Sequence, residues 1–252
     1  MDFTDKVVII TGASSGIGAG AALYLSTLGA SLVISGRNKD KLEETATKCE
    51  GSPLVIVGDV NVEADRVNII NKTIEKFGKL NVLVNNAGLG KSAGIVATTM
   101  EQYDQVMDTN VRSVFHLTQL AIPHLVKTQG NIVNVSSVAG PRSFPNLLAY
   151  CMSKAALDQF TKCVALELAP DNVRVNSINP GLIVTDFHKR LGMNDEDYQA
   201  FLEKSKATHP LGRVGTVDET SYAIAFLASD NASFITGAQL PVDGGKAAMC
   251  PR

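Results

Sequence analysis

Short apolar, β-branched runs recur along the chain at residues 6–11, 31–35, 54–57, 82–85, 131–136, 173–178 and 239–242. Between them lie longer stretches, 16–28, 40–49, 62–77, 100–127, 150–169 and 217–228, in which apolar residues return every three or four positions. The first pattern predicts strands and the second predicts amphipathic helices. Strict alternation of the two predicts an α/β fold, a doubly wound parallel sheet of seven strands with helices on both faces. The strand runs are almost unbroken in apolar character, as strands covered on both faces require.

Nothing in the chain reads as a linker, a repeat or a low-complexity tract, so residues 1–252 are expected to form a single domain. One stretch breaks the rhythm. Residues 186–215 are long, mixed in polarity and set between the sixth strand and the last helix. Inserts of this kind beside strand ends are commonly functional, which predicts a substrate lid.

Composition adds mainly exclusions. With 45% hydrophobic residues, 19% charged residues and a net charge of −2, the chain offers neither the basic surface of a nucleic-acid binder nor an apolar run of membrane-spanning length. Cys49, Cys151, Cys163 and Cys250 are widely spaced, which predicts reduced thiols, and MDFTDK carries no leader signature. A cytoplasmic location is the expectation. His116, His124, His188 and His209 have no metal-ligand spacing, so no metal is expected.

The first strand runs into TGASSGIG, with Gly12, Gly16 and Gly18 spaced G-xxx-G-x-G. Such a loop opens a helix with free backbone N–H groups, to which Ser14 and Ser15 add hydroxyls; it suits a pyrophosphate, although glycines also serve tight strand-to-helix turns. Further small-residue turns end the later strands: NNAG at 85–88, NVSS at 134–137 and NPG at 179–181. YCMSK, residues 150–154, follows the fifth strand. Tyr150 and Lys154 are four apart and share a helix face, where an ammonium would favour the phenolate and let the tyrosine exchange protons near neutral pH.

Taken together and in order, TGASSGIG, GDV, NNAG, Asn110, Ser137, YxxxK, PG and VDGG resemble the short-chain dehydrogenase/reductase family in its compact single-domain branch, over nearly the whole chain. The resemblance implies a Rossmann-type fold and hydride transfer between a nicotinamide and a ketone or aldehyde, giving a secondary or primary alcohol. It implies Tyr150 as general acid and base, Ser137 holding the substrate oxygen, Lys154 also on the nicotinamide ribose, and Asn110 anchoring a proton-relaying water. Ser137 is preferred to its neighbour Ser136 because the family pattern suggests thirteen positions before the tyrosine. The cofactor-binding set implied is Gly12, Ser14, Ser15, Gly16, Ile17, Gly18, Arg37, Asn38, Asp59, Val60, Asn86, Ala87, Gly88, Tyr150, Lys154, Pro180, Gly181, Ile183 and Thr185. A homotetramer is implied as well.

Between Gly12 and Lys39 there is no acid to hold a ribose 2′-OH, whereas Arg37 stands near the end of the second strand. A guanidinium suits a 2′-phosphate, so NADP(H) is expected over NAD(H). Leu89, Val138, Phe144, Leu147, Leu148, Phe187, Leu191 and Met193 predict an apolar carbonyl substrate. A scaffold without turnover and an epimerase or dehydratase are the rival readings. The first is disfavoured by the intact serine, tyrosine and lysine, the second by the glycine spacing.

Overall fold

Val7–Thr11 is wholly buried and forms β1, an interior strand of the sheet. The computed structural model describes residues 1–187 and 193–249, so His188, Leu191 and Cys250 lie outside the described residues. In chain order come α1 (Gly16–Thr27), β2 (Ser31–Gly36), α2 (Lys39–Lys48), β3 (Leu54–Val57), α3 (Glu63–Phe77) and β4 (Val82–Asn85). Then follow α4 (Met100–Met107), α5 (Ser113–Thr128), β5 (Asn131–Val135), α6 (Leu148–Leu168) and β6 (Arg174–Pro180). The described chain closes with α7 (Asp195–Lys206), α8 (Val217–Ala228) and β7 (Gln239–Val242).

All seven strands are parallel, in the order β3-β2-β1-β4-β5-β6-β7. The period-two geometry of a strand sends alternate residues to opposite faces. Val8, Ile10, Leu32, Ile34, Val82 and Val84 pack with Ala21, Leu25, Ile224 and Leu227 of α1 and α8 on one side. Val7, Ile9, Val33, Leu83 and Ile132 pack with Ile69, Leu117, Leu125 and Val164 of α3, α5 and α6 on the other. Each fully buried Ile or Leu here contributes roughly 1.5–3 kcal/mol. The apolar runs of the sequence are therefore two-sided, as expected of a doubly wound sheet.

One predicted element divides. The single helix expected over 100–127 is instead α4 and α5 joined by a π turn, Asp108–Arg112, which contains Asn110. A π turn accommodates one extra residue without ending the helix, so the apolar spacing on either side survives and conceals it. The 186–215 stretch also contains regular structure: Asn194 caps α7 by accepting from the Asp197 amide at 2.8 Å, with Asp195, Glu196 and Asp197 in the first turn.

Candidate active site

The chain leaves β1 for β2 on one side and, after β3, returns to β4 on the other. The carboxyl ends of β1 and β4 are thus the switch point at which doubly wound sheets bind ligands. Gly12 has a φ of +66°, and a Cβ there would stand 2.8 Å from the Ala87 Cα. Only glycine allows the first loop to lie this close to the NNAG turn. Thr11 Oγ1 accepts from the amides of Asn86 (3.1 Å) and Ala87 (3.0 Å), and Asn86 Nδ2 donates back to the carbonyls of Thr11 (2.8 Å) and Gly12 (3.2 Å). Ser15 occupies the N-cap of α1, and Gly16, Ile17 and Gly18 form its first turn, which carries no acidic side chain.

On the β2 and β3 side, Arg37 is 75% exposed and its Nη1 lies 3.9 Å from Asp59 Oδ2. Asn38 accepts from the Lys41 amide at 3.0 Å and so caps α2. The Asp59 amide donates to Asp65 Oδ2 (2.8 Å), and the carbonyl of Val60 accepts from Nη1 of the buried Arg66. Arg37, Asp59 and Val60 therefore frame one end of the crevice.

The other end gathers the remaining candidates. Ser137 stands close enough to the Tyr150 hydroxyl to pull its pKa down, and the Ser137 Oγ accepts from the Ala139 amide at 3.1 Å. Ser136 points elsewhere, donating to the Lys154 carbonyl at 3.3 Å. Lys154 Nζ donates to the Val135 carbonyl (2.8 Å) and lies 5.7 Å from the centre of the Tyr150 ring. Asn110 is 1% exposed; its Oδ1 accepts from the Leu89 amide (2.8 Å), and its Nδ2 donates to the Leu89 carbonyl (2.8 Å) and Ser153 Oγ (2.9 Å). The π turn thus clamps the loop that follows NNAG. Above β6, the Pro180 carbonyl accepts from the Val138 amide (2.8 Å), Ile183 bridges to Gly215, and the Thr185 methyl faces Gly16. Phe187 closes on Tyr150 with ring centres 5.8 Å apart.

The electrostatics correct one expectation. Burial pushes the Tyr150 phenol up to about 12, with only Ser137 pulling it back. Burial likewise brings the Lys154 ammonium down to about 8, opposed by Asp158. Desolvation dominates at the phenol, so the tyrosine rests protonated. Asp158 was not singled out from the sequence, although it lies one helical turn beyond Lys154. Its carboxyl accepts from Asn179 Nδ2 at 2.9 Å and is itself raised by burial. Thr11, Arg66 and His209 were missed too, because their partners lie far away along the chain.

These features define a dinucleotide-binding oxidoreductase site. A family model described as enoyl-(acyl carrier protein) reductase matches residues 12–247. The chain is 39% identical to L-xylulose reductase of Caenorhabditis elegans, over 97% of this chain and 96% of that one. A short-chain dehydrogenase/reductase of Caenorhabditis elegans, solved with cofactor, superposes with a TM-score of 0.92 at 38% identity, covering 98% of this chain and 97% of that one. The 3-ketoacyl-(acyl-carrier-protein) reductase of Brucella melitensis, complexed with NADH, gives a TM-score of 0.90 at 36% identity over 97% and 99%. The chain belongs to the short-chain dehydrogenase/reductase family, and is an oxidoreductase of that family using a nicotinamide cofactor.

Proposed function

We propose that the protein is an NADP(H)-dependent carbonyl reductase, acting on a ketone or aldehyde through Ser137, Tyr150 and Lys154. The observation that carries this is the gathering of Ser137, Tyr150 and Lys154 at the carboxyl end of the sheet, with Lys154 Nζ 5.7 Å from the centre of the Tyr150 ring and the phenol held protonated by burial. The nicotinamide, when bound, supplies or accepts the hydride. Ser137 and Tyr150 converge on one substrate oxygen, and the phenol gives its proton there in reduction. Lys154 faces the developing phenolate and stabilises it. Asn110 holds the Leu89 loop, and Gly12, Ser14, Ser15, Gly16, Ile17, Gly18, Asn86, Ala87, Gly88, Pro180, Gly181, Ile183 and Thr185 hold the cofactor.

For NADP(H) the support is Arg37, exposed and with only a long, weak contact to Asp59, so that little is given up when a phosphate takes its place. NAD(H) is the second reading, favoured by the NADH-bound relative. Val138, Phe144, Leu147, Leu148 and Phe187 support an apolar substrate. Following NADPH and NADH consumption with a panel of ketones tests the whole reading. Tyr150→Phe should lower turnover by about 10²–10⁴-fold and keep cofactor affinity, as expected when only a proton donor is lost. Arg37→Asp should move the NADPH to NADH preference at least about tenfold toward NADH, through a lost charge-assisted bond and an added repulsion. Full turnover by Tyr150→Phe would sink the mechanism, and an unmoved preference would sink the cofactor assignment.

A further inference from the structure

We propose that His209 is a positioning residue for the nicotinamide half of the cofactor, acting through the backbone of Leu182. The inference rests on the cofactor site proposed above. His209 is 2% exposed, yet both ring nitrogens are engaged. Nδ1 lies 2.7 Å from the Ser205 carbonyl, which can only accept, so this nitrogen carries the proton. Nε2 is then the acceptor, and it receives the Leu182 N–H at 3.1 Å. The ring is therefore held in one orientation, Nδ1 donating and Nε2 accepting, by two backbone groups from different parts of the chain. The charged neighbours are occupied elsewhere: Lys246 Nζ donates to Thr208 Oγ1 (3.2 Å), and the Asp243 carboxylate accepts from the amides of Gly245 (2.9 Å) and Ala247 (2.6 Å).

Leu182 belongs to the turn that leaves β6 and crosses toward the glycine loop. The turn is suspended by its backbone. The Gly181 N–H goes to the Val242 carbonyl (3.0 Å), the Val184 N–H to the Gly215 carbonyl (3.0 Å), and the Thr185 N–H to the Tyr198 hydroxyl (3.3 Å). The Gly215 N–H also donates to the Leu182 carbonyl (2.9 Å) and the Tyr198 hydroxyl to the Thr185 carbonyl (2.9 Å), so His209 alone holds the Leu182 N–H, and it is in direct contact with the turn. A Cβ at Gly181 would stand 2.9 Å from both His209 Nε2 and the Asp243 Cα, so the ring and the turn fit only because residue 181 has no side chain. Arg37 and Asp59 stand over β2 and β3, whereas Ser137, Tyr150 and Lys154 stand over β5 and α6, on the side of the switch point where β6 lies. A displaced Leu182 is accordingly felt by the nicotinamide half of a dinucleotide and not by the adenosine half.

Calorimetric titration of the full chain with the preferred reduced dinucleotide, and with ADP-ribose or its 2′-phosphate as a probe lacking nicotinamide, separates these effects. His209→Leu removes the acceptor and leaves a buried N–H unpaired; the dinucleotide should bind about tenfold or more weakly, while the ADP-ribose probe should move less than about twofold. The cofactor KM should rise more than kcat falls. His209→Gln offers a side-chain oxygen near the Nε2 position and should recover the dinucleotide to within about threefold. His209→Asn is polar but too short to reach Leu182; it should behave like the leucine variant and replaces it if that variant does not fold. Equal losses for both probes, no loss in either, or glutamine no better than asparagine would overturn the proposal. A wild type that binds ADP-ribose but gains nothing from the nicotinamide would overturn the cofactor reading beneath it.

Discussion

Lys154 sits where its own charge is disfavoured, and this residue carries the clearest pH signature in the site. Its folded-state value is about 8, below the ordinary 10.5 of a lysine. The side chain is cationic below about 8 and neutral above it, so kcat/KM for carbonyl reduction should fall as pH rises through about 8, and that limb should vanish in Lys154→Met. Stability runs the other way. Between about 8 and 10.5 the unfolded chain binds the extra proton, so this lysine makes stability rise with pH in that window. Lys154→Met should match or exceed the wild-type Tm at pH 7, with a gap that narrows by pH 10, while turnover collapses. A variant that melts well below wild type at pH 7 would show that the bond to Val135 outweighs the buried charge. Tyr150 and Lys154 could be named from sequence because a helical repeat marks them, whereas Ser137 and Asn110 were named through the family resemblance. Thr11 and His209 carry no local mark, since hydrogen bonds to residues 75 and 27 positions away give them their place.

At the level of elements, the strands were legible because burial on both faces leaves runs rich in Val, Ile and Leu between turns, although β5 and β6 also bury Asn131, Asn134, Asn176, Ser177 and Asn179. The joints between elements were not. Arg66, 5% exposed on α3, donates to the carbonyl of Val60 at the end of the β3 loop and, at 2.9 Å, to Nδ1 of His116 on α5. It fastens two helices and a cofactor-side loop at once, and in the sequence it looks like one more charge on an amphipathic helix. Arg66→Met leaves the buried Val60 carbonyl and the half-buried Nδ1 of His116 without their donor. It should cost about 1–3 kcal/mol for the Val60 carbonyl, read as a lower urea midpoint with an unchanged slope. Arg66→Lys, lacking the planar fork, should recover little. The 186–215 stretch was legible only as an interruption; α7 and its tethers at Tyr198 and His209 depend on contacts with the β6 turn.

Across the whole molecule, the sheet divides into a half built from residues 7–57 and a half built from residues 82–242, with the crevice on the seam. The outer faces of α5 and α6 leave Phe115 (55% exposed), Met152 (44%) and Leu166 (77%) uncovered, with Phe115 against Phe160 at 6.1 Å between ring centres. This apolar surface supports the proposed homotetramer, in which these helices pair with their copies. Phe115→Glu should lower the sedimentation mass at micromolar concentration to that of a smaller species. An unchanged mass would place the contact elsewhere, and a wild-type mass equal to one chain would remove the tetramer altogether.

The π turn between α4 and α5 has a meaning for chain length as well as for chemistry. It is an inserted residue stored inside a helix rather than in a loop. Losing any one residue from Asp108–Arg112 leaves a chain fully able to run helical from 100 to 128, and locally the better helix for it. The α4 and α5 faces would keep their phase, because the π turn is what absorbs the extra residue, and only the bulged backbone that carries Asn110 would be drawn in. Asn110 would no longer meet Leu89. A length change that secondary structure would welcome is thus the one the site could not absorb, and the fault would be invisible to any count of helical residues.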